Sequence, residues 1–151
     1  MLLYLVRHGK AEEGAIDYAR KLSPAGARQI RALAAKLKEK NMGPARVFHS
    51  GLVRAEETAH LLAEGLGLKA PIESSTGLRP MDDVEFWMER LKRFREGDLM
   101  LVGHNPYMEN LVQELVDEEV LFKTGGIACL SNDKQGEWKI LWAFRQKAGE
   151  V

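Results

Sequence analysis

The chain has 151 residues, 45% apolar and 29% charged, the balance of a globular protein long enough to bury one full core. Lysine plus arginine and aspartate plus glutamate number 22 each, so no global field steers it toward nucleic acid or an anionic membrane. A single cysteine excludes an internal disulfide, and no apolar run approaches the roughly 20 residues of a membrane span, so the expected setting is the cytoplasm.

In chain order, "LLYLV" at 2–6 reads as a buried strand that ends abruptly at Arg7, His8 and Gly9. Residues 14–22 lose all periodicity and read as a loop. Ser23 and Pro24 then open a helix as N-cap and first helical residue, with Ile30, Leu33, Ala34 and Leu37 at helical spacing, and Asn41 with Gly43 and Pro44 closes it. "RVFHS" (46–50) is a second strand. Residues 52–66 return to helical period through Ala55, Ala59, Leu62 and Leu66. A short strand is expected near 71–73 and a helix over 83–95. "DLMLVGH" (98–104) is a further buried strand, after which Asn105 as cap and Pro106 at the first helical position begin a helix bearing Leu111, Val112, Leu115 and Val116. Residues 126–144 read as a hairpin turning at 132–136.

Strands separated by helices imply a three-layer α/β/α sandwich with a mainly parallel central sheet and a C-terminal antiparallel hairpin. No repeat or linker divides it, so one domain is expected over residues 1–151. Ligands of such sheets bind beyond the carboxyl ends of the strands. Three segments share that position: Arg7 and His8 after the first strand, Arg54 in the first turn of the helix after the second, and His104 before a helix N-terminus. Free N–H groups at that terminus attract anions. No acidic residue stands among these groups, so a local cationic pocket is expected on a neutral protein, suited to a phosphoryl group. Singly, each piece is weak. An Arg-His-Gly tripeptide is common, a first-turn arginine is usually a surface charge, and a histidine before Asn-Pro often marks only a turn. Their joint placement after three strands is what carries weight.

These residues resemble the histidine phosphatase superfamily, also called phosphoglycerate mutase-like. Arg7, His8 and Gly9 match its Arg-His-Gly motif. "SGLVRAEETA" matches Ser-x-x-x-Arg-Ala-x-x-Thr-Ala at Ser50, Arg54, Ala55, Thr58 and Ala59, and "VGHNP" matches the late histidine at His104. Within that superfamily the chain looks most like the short SixA-type phosphohistidine phosphatases, through Leu22, Ser23 and Gly26, through Leu78, Pro80 and Asp83, and through the closing hairpin. It has one helix where larger relatives insert a lid, so an open pocket is expected.

The resemblance implies that His8 is the nucleophile, forming a phosphohistidine that water hydrolyses to inorganic phosphate. Arg7 and Arg54 would clamp the phosphoryl oxygens, with His104, Asn105 and Gly9 completing the phosphate site. The elementary chemistry agrees, since a neutral imidazole is a competent nucleophile and adjacent guanidinium groups disfavour its protonation. Asp83 matches the position of a proton donor, although a helix N-cap is an equally good reading of it. No metal or other cofactor is implied: no two histidines have chelating helical spacing. His49 and His60 read as structural and surface residues. Cys129 lacks the downstream arginine of a cysteine-phosphatase loop. The expected partner is a phosphohistidine-bearing protein, met by a monomer that touches neither nucleic acid nor membrane. A small-molecule phosphomonoesterase and a non-catalytic phospho-partner binding module are the rival readings.

Overall fold

The computed structural model describes residues 1–144; residues 145–151, the end of the expected domain, lie outside the described residues. The strands are β1 (Leu2–Arg7), β2 (Arg46–His49), β3 (Ile72–Ser74), β4 (Leu99–Gly103), β5 (Ile127–Asn132) and β6 (Trp138–Phe144). The helices are α1 (Pro24–Leu37), α2 (Val53–Leu66), α3 (Glu85–Arg93) and α4 (Tyr107–Val116). The strand order is β3-β2-β4-β1-β5-β6, with β3, β2, β4 and β1 parallel and β5 and β6 antiparallel. The sheet is therefore mixed as expected, and β5 returns directly beside β1.

Burial follows the sequence pattern. Every residue of β4 is buried, because helices cover both its faces, and such a strand must be apolar throughout. Edge strand β6 alternates between half-buried and exposed residues instead. Alternate residues of β1 serve two cores. Leu3 and Leu5 pack with Trp87, Leu91, Tyr107 and Leu111 under α3 and α4. Tyr4 and Val6 pack with Ile30, Leu33, Ala55 and Leu62 under α1 and α2. No helix among the described residues is long and apolar enough to cross a membrane.

Ser23 caps α1 as expected, its Oγ accepting the Gly26 N–H at 2.9 Å. Gly26 is required for a different reason: a Cβ there would collide with the Lys10 carbonyl, so α1 lies directly against the chain leaving β1. Besides shifts of a residue or two at element ends, two segments differ from the sequence reading. The loop over 14–22 contains a 3-10 turn at Asp17–Ala19. Helix α4 begins at Tyr107, and Asn105 does not cap it. The Asn105 amide nitrogen instead donates to Glu109 Oε2 at 2.8 Å and to the Phe122 carbonyl at 2.9 Å, tying the strand end to the loop before β5.

Candidate active site

Strands β1, β4 and β2 are neighbours, so their carboxyl ends meet. Arg7 pairs in register with Gly103, and the His8 N–H donates to the Gly103 carbonyl at 2.9 Å. That contact sets the two histidines side by side, with ring centroids 4.9 Å apart. Arg54, in the first turn of α2, completes the group. A cavity of about 280 Å³ is lined by Arg7, His8, Lys10, Arg20, Arg54, Pro80, His104, Asn105 and Thr124. A larger one, about 660 Å³, lies at the opposite end of the sheet near Asn132 and Trp138 and contains no histidine.

His8 is buried, and its Nδ1 lies 2.6 Å from the Gly9 carbonyl oxygen. A carbonyl can only accept, so Nδ1 carries the proton and Nε2 keeps its lone pair. Burial, reinforced by Arg54, Arg7 and Arg20, pulls the His8 pKa down to about 4 against the opposing pull of the Gly9 carbonyl. Burial, then the neighbouring His8 and Arg54, takes His104 down to about 3. Both rings are therefore neutral at neutral pH. His104 Nε2 lies 2.6 Å from Ser50 Oγ, while its Nδ1 is buried with no partner among the described residues. Arg7 donates Nη1 to the Phe122 carbonyl at 2.9 Å, and its buried Nε is likewise without a partner there.

An acidic side chain does approach the clamp, contrary to expectation. Arg54 donates Nη1 to the Asp17 carbonyl at 3.0 Å, and its Nη2 lies 3.4 Å from Asp17 Oδ2. Asp17 also pairs with Arg20 at 3.2 Å, and this contact, first among the causes, holds its carboxyl below the usual range. The unassigned segment 14–22 thus steadies Arg54 from solvent and supplies a third guanidinium, Arg20, to the cavity.

Arg7, His8, Arg54, His104 and Asn105 are brought together, but two expected site residues are not. Asp83 does not line the His8 cavity. Its Oδ1 accepts the Glu85 N–H at 3.0 Å as α3 begins, and it faces a neighbouring cavity shared with Ser50, Arg79 and Phe86. From this short connection only Pro80 reaches the His8 cavity. Gly9 is also spent elsewhere. Its N–H donates to Thr58 Oγ1 at 3.1 Å, and a Cβ would sit 2.9 Å from Ile30 Cγ1 and 3.0 Å from the Gly26 carbonyl. The packing of α1 against it is by itself reason enough for glycine here. Asn105 lines the cavity with its amide nitrogen already committed to Glu109 and Phe122.

His49 is a structural residue, as read from the sequence, with Nδ1 accepting the Gly51 N–H at 3.0 Å. Sequence reasoning passed over Lys10 and Arg20, and named Thr58 in a motif without its bracing contact, a hydroxyl donating to the Arg54 carbonyl at 2.8 Å. Lys10 was detectable as the residue after Arg-His-Gly. Arg20 was not, because only the tertiary fold carries its loop over the cavity.

A fold that gathers two neutral histidines and three arginines around one cavity beyond its strand ends defines a class built to handle phosphoryl groups. The family model for the histidine phosphatase superfamily (branch 1) matches residues 3–86, and the chain belongs to that superfamily. It is 29% identical over 148 residues to phosphohistidine phosphatase SixA of Escherichia coli (strain K12), covering 94% of this chain and 92% of that one. The solved structure of the protein histidine phosphatase SixA complexed with tungstate superposes with a TM-score of 0.87 at 28% identity, over 96% of this chain and 97% of the other. A putative phosphohistidine phosphatase SixA from Agrobacterium tumefaciens shares the fold, with a TM-score of 0.83 at 24% identity over 97% and 98% of the two chains.

Proposed function

We propose that the protein is a phosphatase that removes the phosphoryl group from a phosphohistidine carried on a protein, through a covalent phosphohistidine on His8. The observation that carries this is the His8 tautomer. With Nδ1–H committed to the Gly9 carbonyl, the Nε2 lone pair is the free edge, in a cavity that three guanidinium groups and Lys10 share. That lone pair attacks phosphorus, the P–N bond to the substrate imidazole breaks, and the departing ring takes a proton from solvent. Water then attacks the His8-bound phosphorus, releasing inorganic phosphate and restoring His8. Arg7, Arg20 and Arg54 neutralise the oxygens in flight, and positioning with electrostatic stabilisation supplies the catalysis. No step calls for a metal.

Two observations favour a protein-borne phosphohistidine over a small phosphate ester. Among the described residues no aspartate or glutamate lines the cavity, and an ester's alkoxide needs a positioned acid that an imidazole does not. Exposed apolar side chains also stand next along the chain to residues of the site. Ile16 and Tyr18 flank Asp17, Met81 follows Pro80, and Leu121 precedes the Phe122 that holds Arg7, all four with side chains exposed to solvent. Exposed apolar side chains of this kind suit a macromolecular surface. The SixA structure with bound tungstate supports an oxyanion site on this fold.

The test is transfer of label from a phosphohistidine protein. Acid-labile, base-stable label should appear on the wild-type chain and be absent from His8→Ala. Label retained by His8→Ala would remove the nucleophile assignment, and preferential turnover of an alkyl phosphate would replace the substrate.

A further inference from the structure

Ser50 follows β2 directly and is buried, and its hydroxyl is placed to decide what His104 can do. Ser50 Oγ lies 2.6 Å from His104 Nε2 and also accepts the Leu52 N–H at 3.2 Å. A neutral imidazole has one N–H, so the proton between Ser50 and His104 can run in either direction. If Nε2–H donated to Ser50, the oxygen would accept twice. Its own hydrogen would then be buried without an acceptor among the described residues, a costly arrangement. If Ser50 donates to Nε2, both contacts of its hydroxyl are satisfied and only the far nitrogen of His104 is left for a ligand to meet. The ring then carries its hydrogen on Nδ1, the nitrogen that has no protein partner.

We infer that Ser50 is a positioning residue that holds His104 in the Nδ1–H tautomer, so that a neutral histidine presents a donor to the phosphoryl oxygens beside His8. Ser50 borders the neighbouring cavity and not the one lined by His104, which leaves the Nδ1 edge for the phosphoryl side. The opposite tautomer would set a lone pair against an anionic oxygen. The device resolves a conflict in the site. A further cation among Arg7, Arg20 and Arg54 would be costly in a buried setting, yet a donor is still needed there. A neutral ring with a fixed tautomer supplies the donor without the charge. The kinetic part of this inference rests on the proposed function; the tautomer itself does not.

The experiment is nitrogen NMR of the full chain labelled in its histidine rings, at neutral pH, with and without inorganic phosphate. The expected result is an unprotonated Nε2 and a protonated Nδ1 for His104 in the wild type. The Nδ1–H signal should shift on adding phosphate, and Ser50→Ala should show a mixture of tautomers. Phosphorylation of His8 in Ser50→Ala should slow by about 10- to 100-fold, the scale of a lost buried hydrogen bond, with KM little changed. Ser50→Thr, which keeps the hydroxyl, should recover most of that rate. A wild-type His104 protonated on Nε2 overturns the inference, and needs no variant to fold. So does a Ser50→Ala enzyme with mixed tautomers and the wild-type rate. If the tautomer is as stated and no phosphorylated substrate turns over, the proposed function fails and the role of Ser50 in fixing the ring stands.

Discussion

Acidification should destabilise this protein well before its carboxylates titrate, because the fold buries two neutral imidazoles among arginines. In the unfolded chain His8 and His104 bind protons near the usual histidine pKa of about 6.5. In the folded chain His8 does so only near about 4 and His104 near about 3. Between these limits the unfolded state holds protons that the folded state refuses, so stability rises with pH and is lost as pH falls from 6.5 toward 4. From pH 7 to pH 5 the loss is about 2 kcal/mol for each histidine, about 4 kcal/mol together, a large share of a typical domain's 5–15 kcal/mol. His49, also buried and with its pKa lowered by that burial, adds to the loss in the same direction.

Urea unfolding at pH 7 and pH 5 measures the quantity directly, with His8→Asn and His104→Asn as controls. Each variant should remove roughly half of the two-histidine loss while leaving the urea slope unchanged. Because His104 is depressed partly by His8, the two effects should fall short of strict additivity. A wild-type protein equally stable at both pH values would refute the reasoning. So would variants that keep the full wild-type loss, because the protons would then be entering elsewhere.

The acid limb of kcat/KM, corrected for ionisation of the substrate, should have its midpoint near about 4, since the proposed attack requires a neutral His8; a midpoint at the ordinary histidine value would show that the ring is not buried as described. Arg54→Lys should lower kcat/KM by about 10²-fold or more, because lysine cannot span the Asp17 carbonyl and a phosphoryl oxygen together; near-normal activity would reduce Arg54 to a surface charge. Gly26→Ala should destabilise by about 1–3 kcal/mol in urea unfolding, reversing the usual gain from alanine in a helix, because the new methyl meets the Lys10 carbonyl; a stabilised variant would mean that α1 does not lie against that chain.

How far the sequence could be read depended on the range of each signal. Ser23 and Pro24 marked the start of α1 because a cap and a fixed φ act within one turn. The all-apolar run 99–102 marked a central strand because both faces of β4 are covered. The positions of Arg7, His8, Arg54 and His104 were legible because the chain places each at the end of a strand or the start of a helix. Asp17 and Arg20 were not, since the turn that holds them is fixed by Arg54, 37 residues beyond Asp17. Gly9 and Asp83 were read from their places in motifs, but local packing sets what they do. Ile30 and the Gly26 carbonyl crowd Gly9, and the start of α3 occupies Asp83. Asn105 had the composition of a cap, yet Glu109 and Phe122 hold its amide nitrogen and its buried Oδ1 meets no donor among the described residues.

The departures at Asp17, Arg20 and Asp83 concern how charge is arranged around His8, the proposed nucleophile. Burial, reinforced by the arginines, keeps His8 neutral, as the proposed attack requires, but those cations would also depress any carboxylic acid placed among them. A carboxyl beside Arg7, Arg20 and Arg54 would be ionised at neutral pH, as Asp17 is already held toward its charged form by Arg20 and Arg54. It could not protonate a leaving group, and it would weaken the clamp on phosphate. A site that concentrates guanidinium groups this closely therefore suits a leaving group that needs no acid. Imidazole from a phosphohistidine meets that condition and an alkoxide does not. The turn of Asp82 and Asp83 away from the cavity, each accepting a backbone N–H at 2.9 Å and 3.0 Å, follows the same logic.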